Sequence, residues 1–148
     1  MFTSVILGAG KSTRMKANKS KLLFNIAGKP VINHIVSSLK NAKAKHNICV
    51  INNSSAELKK ILEAEKVSFA YQKILDGTAG AVKAALKSKT NSNSKLLILC
   101  GDIPFITSSS IKKLVAKLKN HDAVVGTVEL ESPKGYGRIV RVNNKFSS

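Results

Sequence analysis

The sequence predicts an α/β domain in which a mostly parallel sheet carries helices on both faces. Three observations predict it. Short apolar runs alternate with stretches of helical period over all 148 residues, without internal repeat, linker or low-complexity tail, so 1–148 reads as one domain. The run Lys95–Cys100 (K-L-L-I-L-C) is almost continuously apolar, as a central parallel strand covered on both faces requires. The first run, Phe2–Leu7, leads straight into a loop of glycines, hydroxyls and basic residues, where ligands of such sheets bind.

Phe2–Leu7 is the expected first strand, and residues 8–29 form a long connection of the kind that usually serves a function. Pro30 opens a helix at its favoured first position, with Val31, Ile32, Ile35, Val36 and Leu39 at helical spacing. Asn47–Asn52 is the second strand, and Ser54 or Ser55 caps a helix carrying Leu58, Ile61 and Leu62. Val67–Tyr71 is the third. After an Asp76-Gly77 turn a helix spans Thr78–Lys87, with Ala81, Val82, Ala85 and Leu86 as its buried stripe. A polar loop, Thr90–Ser94, precedes Lys95–Cys100, the expected central strand. Ser108–Ser110 cap a helix with Ile111, Leu114, Val115 and Leu118. Ala123–Leu130 and Arg138–Val142 are the fifth and sixth expected strands, and the chain stops in what reads as a hairpin turn, suggesting a domain truncated on its C-terminal side.

The formal net charge is +17, which raises the question of nucleic acid. Lysine dominates and is spread along the chain, while arginine occurs only at Arg14, Arg138 and Arg141, and tryptophan is absent. Base readout and RNA binding favour arginine and aromatic platforms. Nucleic acid is therefore disfavoured, and the charge supplies a favourable field for polyanionic small molecules. No apolar run approaches the roughly 20 residues of a membrane helix. The N-terminal run is too short for a signal peptide, and its basic residues follow it. Cys49 and Cys100 lack metal-ligand spacing and read as reduced core thiols of a cytoplasmic protein.

One loop and one carboxylate carry the chemistry. In Leu7-Gly8-Ala9-Gly10-Lys11-Ser12-Thr13-Arg14-Met15, glycines allow close backbone approach, exposed N–H groups can cradle an anion, and Lys11 and Arg14 add charge. A Walker A loop would need a glycine where Val5 stands, and a Rossmann fingerprint a third glycine where Thr13 stands. The pattern that fits is L-x-x-G-x-x-x-R-M, with a further lysine at Lys21, and a nucleoside triphosphate is the most economical ligand. Of eight acidic residues, Asp102 stands apart. It follows the apolar strand in Cys100-Gly101-Asp102-Ile103-Pro104, placed to hold Mg²⁺ against phosphate oxygens; a turn aspartate is the plainer alternative.

Together with Ala27-Gly28-Lys29-Pro30, Gln72, Asp76-Gly77-Thr78-Ala79 and Gly135-Tyr136-Gly137-Arg138, these elements occur in one order over nearly the whole chain. The sequence resembles the uridylyltransferase domain of the bifunctional N-acetylglucosamine-1-phosphate uridylyltransferase/glucosamine-1-phosphate acetyltransferase family. The resemblance implies a Rossmann-like nucleotidyltransferase fold and attack of a sugar 1-phosphate on the α-phosphorus of UTP. The products would be UDP-N-acetylglucosamine, a precursor of peptidoglycan and other envelope polysaccharides, and pyrophosphate. It implies that Leu7, Gly8, Ala9, Gly10, Lys11, Ser12 and Thr13 surround the triphosphate and that Arg14 and Lys21 are the catalytic cations. Gln72, Gly77 and Thr78 would read uracil, Gly101 and Gly137 would meet the sugar phosphate, and Asp102 would bind Mg²⁺.

The chain departs from the family at Gly8 (usually Ala), Ser12 (Gly), Ser20 (Pro) and Cys100 (Tyr). The family's later sugar-binding residues, second metal ligand and acetyltransferase domain, through which full-length members oligomerise, have no counterpart here. The competing expectations are a cytidylyl- or guanylyltransferase and a non-catalytic anion- or nucleic-acid-binding remnant.

Overall fold

The computed structural model describes residues 1–10, 19–52, 56–88, 95–143 and 145–146. Strands β1 (Phe2–Leu7), β4 (His46–Ile51), β5 (Ser68–Tyr71) and β6 (Lys95–Cys100) form an all-parallel sheet in the order β5-β4-β1-β6. Helices α1 (Val31–Asn41), α2 (Ala56–Ala64) and α4 (Ser108–Lys117) share one core cluster, and α3 (Thr78–Lys87) covers the opposite face.

Period-2 alternation in β1 builds both cores. Phe2 and Ile6 face a cluster with Ile32, Ile35, Val36 and Leu39 of α1, Leu58 and Leu62 of α2, and Ile111 of α4. Val5 faces the other side, with Ile48, Val50, Ala70 and the small residues Ala81 and Ala85, which bring α3 close. The chain moves from β1 outward to β4 and β5, then returns to β6 on the other side of β1. A right-handed crossover in the reversed direction must pass over the opposite face, which is why α3 alone lies there. The reversal also creates a switch point between β1 and β6, where open α/β sheets bind ligands.

The strand–helix order up to α4 follows the sequence expectation, with differences that have physical causes. The connection after β1 contains a 3-10 turn, Lys21–Leu23, and a small hairpin, β2 (Asn25–Ile26) with β3 (Lys29–Pro30). Pro30 is the N-cap of α1 and not its first residue. The cap of α4 is Thr107, whose Oγ1 accepts from Ser110 N at 3.1 Å, and not Ser108–Ser110. In α3 Val82 is only half-buried and Leu86 is exposed, because the stripe facing the sheet narrows to Ala81 and Ala85.

Among the described residues β6 stands at the edge of the sheet and not at its centre; β1 has a partner on each side and is the better-buried strand. Apolarity along β6 therefore ends in exposure, with Ile98 at 45%. Residues 123–130 form no strand, and within 138–142 only Arg141–Val142 (β7) pairs, in a short hairpin with β8 (Lys145–Phe146). Val125 and Val128 are exposed there. A valine-rich run alone makes no strand without a neighbour to accept its backbone hydrogen bonds. Ser54, Ser55 and Thr90–Ser94 lie outside the described residues.

Candidate active site

β1 and β6 end side by side, with Leu7 in register with Cys100. The turn after β6 closes against β1, and the turn after β1 against β4: Gly101 N donates to Leu7 O at 3.0 Å, and Gly8 N to Val50 O at 2.9 Å. Neither turn has room for a side chain. A Cβ on Gly101 would lie 2.8 Å from Leu7 O and 2.7 Å from Leu22 Cδ2, and one on Gly8 2.6 Å from Leu22 Cδ1. The fully buried Leu22 thus sets one methyl against each glycine and supports both turns from the 3-10 turn. Ser20 Oγ caps that turn by accepting from Leu22 N at 3.3 Å.

A cleft of about 500 Å³ opens at this switch point. From β1 and its loop come Leu7, Ala9 and Gly10; from the 3-10 turn Lys21; from β6 and its turn Cys100 and Asp102. The far wall is Gln72, Leu75, Gly77, Thr78 and Ala81, from the end of β5 and the start of α3. Asn52 Nδ2 donates to Ala9 O at 3.3 Å, and Gln72 N donates to Ile51 O at 3.0 Å, so both walls are tied to the end of β4. A larger hollow of about 850 Å³ lies between α1 and the start of α4. Its Lys40 is paired with Glu65 at 2.6 Å and it lies away from the strand ends, so the switch-point cleft is the better candidate.

Lys21 Nζ donates to Asp102 Oδ2 at 2.6 Å across the cleft. That hydrogen bond holds the Asp102 carboxyl below its ordinary pKa, burial opposes it, and the lysine charge adds to the lowering. Asp102 is therefore an ionised acceptor at neutral pH. Its side chain is 57% exposed, and exposed pairs contribute only about 0–1 kcal/mol. The pair places charge where it can act and does little for stability.

Of the residues the sequence singles out, Leu7, Ala9, Gly10, Lys21, Gln72, Gly77, Thr78 and Asp102 come together in the cleft. Gly8 and Gly101 do not line it; they are buried, and their N–H groups are spent inside the fold, so they act through close packing. Gly137 also does not line it, and the turn before it is made by Gly135, at φ +83°. Lys11, Ser12, Thr13 and Arg14 lie outside the described residues.

Leu75, Ala81 and Cys100 line the cleft without having been singled out. The expectation of a core thiol holds for Cys49, which is buried, and fails for Cys100, which is exposed at the end of the outermost strand among the described residues. The available signal was positional, since Cys100 ends a strand next to a glycine turn. Burial pushes the Cys49 thiol up to about 12, so it stays protonated and inert. Of the two cysteines, Cys100 alone is then expected to react with a thiol reagent, and a nucleotide in the cleft should slow it several-fold. Two reactive thiols, or no protection by any triphosphate, would argue against this cleft as the nucleotide site.

The fold, the cleft and the family match together define a nucleotidyltransferase domain. The chain belongs to the MobA-like NTP transferase domain family, whose model matches residues 4–138. It is 38% identical over 145 residues to the bifunctional protein GlmU of Caldicellulosiruptor saccharolyticus, covering 96% of this chain and 31% of that protein. It is 36% identical over 141 residues to the bifunctional protein GlmU of Buchnera aphidicola subsp. Schizaphis graminum, covering 95% and 30%. The match is to the N-terminal domain of these relatives, and the chain spans about 30% of their length.

Solved structures agree at the level of the fold. A putative glucose-1-phosphate thymidylyltransferase from Bacillus anthracis superimposes with TM-score 0.68 at 22% identity, covering 82% of this chain and 52% of that one. A 4-diphosphocytidyl-2C-methyl-D-erythritol synthase from Anaerococcus prevotii superimposes with TM-score 0.65 at 19% identity, covering 81% and 52%. No described helix is long and apolar enough to cross a membrane.

Proposed function

We propose that the cleft takes UTP with Mg²⁺ and transfers its uridylyl group to a sugar 1-phosphate, N-acetylglucosamine 1-phosphate, releasing pyrophosphate. The observation that carries this is the meeting of an amide-and-glycine wall, Gln72 with Gly77 and Thr78, and a charged wall, Lys21 with Asp102, across one cleft. A uracil edge offers two carbonyl acceptors and one N–H donor, which a side-chain amide and backbone groups can match. The similarity to bifunctional GlmU proteins supports the choice of sugar phosphate.

Asp102 is the only carboxylate that lines the cleft among the described residues, and no group of three or more His, Cys, Asp or Glu able to hold a metal occurs among them. One ionised carboxylate fits a Mg²⁺ that is held mainly by phosphate oxygens and water. When bound, such an ion would neutralise charge developing on the phosphates. The sugar phosphate is already ionised at neutral pH, so no protein nucleophile is required. Lys21 would turn from Asp102 to the phosphates, and Arg14 of the glycine-rich motif would add a second cation. Holding the two anions in line while offsetting their repulsion is the protein's contribution. This reading places the protein in the cytoplasm, in solution with nucleoside triphosphates.

The test is a thermal shift with each of UTP, CTP, GTP and ATP plus Mg²⁺. A ligand at ~100 times its dissociation constant adds about 2.7 kcal/mol. UTP should give the largest shift, and equal shifts from all four would remove the uracil assignment.

A further inference from the structure

The proposed uracil reading rests on Gln72, and the structure shows what orients it. Gln72 is 7% exposed, and its side-chain Nε2 donates twice: to Asp76 Oδ1 at 2.9 Å and to Gly77 O at 3.0 Å. A carboxylate and a peptide carbonyl can only accept. The amide nitrogen must therefore point at them, and the amide cannot be flipped without setting oxygen against oxygen. Oε1 takes no part in either contact and is the acceptor available to the cleft that Gln72 lines.

Two further features hold this arrangement. Gly77 has φ +91° and ψ −167°, a conformation essentially confined to glycine, and it carries the carbonyl that Gln72 meets. Gly80, in the first turn of α3, leaves the space that the Asp76 carboxylate fills: a Cβ there would fall 1.6 Å from Asp76 Oδ1. A glycine inside a helix is unfavourable by propensity. Its presence at position 80 is accounted for by the carboxylate lying over it.

We infer that Asp76 is a positioning residue for base selection: seated on Gly80, it locks Gln72 with its amide oxygen toward the base and so selects a nucleobase with a ring imino N–H. Uracil and thymine carry that donor at N3. Cytosine has a lone pair there, which the fixed oxygen repels. Freed from Asp76, the amide can turn its NH₂ to the base and accept cytosine. The inference rests on the uracil reading and deepens it, since the selectivity is assigned to the lock on Gln72 and not to the amide alone.

The test is binding of UTP, dTTP and CTP with Mg²⁺ to the whole chain by titration calorimetry, in wild type, Asp76→Ala, Asp76→Asn and Gly80→Ala. Wild type should prefer UTP and dTTP to CTP by about tenfold or more, the size of one buried acceptor left facing a lone pair. A dTTP affinity far below that of UTP would assign the natural ligand to uracil while leaving the imino selection intact. Asp76→Ala should bring the UTP-to-CTP ratio to within a few-fold of one, and Asp76→Asn, whose carbonyl still accepts from Gln72, should restore it.

Gly80→Ala adds only a methyl and favours the helix, so its melting temperature should hold or rise. It should nevertheless lose the preference, because the end of a flexible side chain is what must move. Separately, the Gln72 side-chain NH₂ resonances in the unliganded protein should shift in Asp76→Ala and not in Asp76→Asn. A wild-type ratio near one would sink the uracil reading and this inference with it. A wild-type preference that survives in Asp76→Ala and Gly80→Ala, or Gln72 amide resonances that ignore Asp76, would overturn the lock alone.

Discussion

Asp102→Asn is expected to abolish the Mg²⁺ dependence of UTP binding while the domain stays folded. Asn keeps the shape and one carbonyl oxygen but loses the charge that attracts a hard dication. It also loses the charge that draws Lys21 Nζ to 2.6 Å. Losing one charge-assisted contact costs roughly 1.5–3 kcal/mol, so affinity for UTP in Mg²⁺ should fall about 10- to 100-fold. Stability should barely move, because the Lys21–Asp102 pair is largely exposed and worth about 0–1 kcal/mol, or no more than roughly 4 °C in melting temperature. Mg²⁺ titrations of UTP binding in both proteins decide the matter. An unchanged Mg²⁺ dependence would make Asp102 a turn residue and move the metal elsewhere. Where the domain is joined to the remainder of a longer relative, turnover should fall on the order of 10²-fold, as for the loss of one transition-state stabiliser.

Leu22→Ala should be the most damaging single truncation near the site. Leu22 is fully buried, and its two methyls lie beneath the turns after β1 and β6, against Gly8 and Gly101. Truncating a buried leucine costs about 2–5 kcal/mol, which for a domain of this size lowers the melting temperature by roughly 4–20 °C. The effect should be twofold, because the cavity opens directly below the cleft. UTP binding should weaken even at temperatures where the variant is folded. Denaturant unfolding and UTP titration on the same preparation separate the two. A loss of stability with full affinity would show that the turns hold their places without Leu22.

The sequence was legible where its signals are local. Short apolar runs placed β1, β4, β5 and β6 to within a residue or two, and Thr78–Lys87 agreed with α3 at both ends. Turn chemistry next to an apolar strand picked out Gly10, Gln72 with Gly77-Thr78, and Asp102, which the structure gathers into one cleft. What failed was what depends on neighbours. K-L-L-I-L-C is apolar whether its strand is central or at an edge, and only strand order places β6 outermost among the described residues, with Cys100 exposed. Residues 123–130 are valine-rich as a strand would be, yet a strand exists only where another accepts its hydrogen bonds.

By itself, then, the sequence determined the class of fold and which residue types could meet a triphosphate, because backbone propensity, periodicity and turn chemistry act over a few residues. Only the tertiary structure decided which groups are free to act. Gly8 and Gly101 read as ligand contacts, but with their N–H groups donated to Val50 O and Leu7 O they are packing elements. Asp76 read as a turn residue, but folding sets its carboxylate on Gly80 and against the amide of Gln72. Lys21 and Asp102, 81 positions apart, become partners only when the connection after β1 folds back under the end of β6. Hydrogen-bond ownership and charge pairing are set by distances across the fold, and such distances are not written in local sequence.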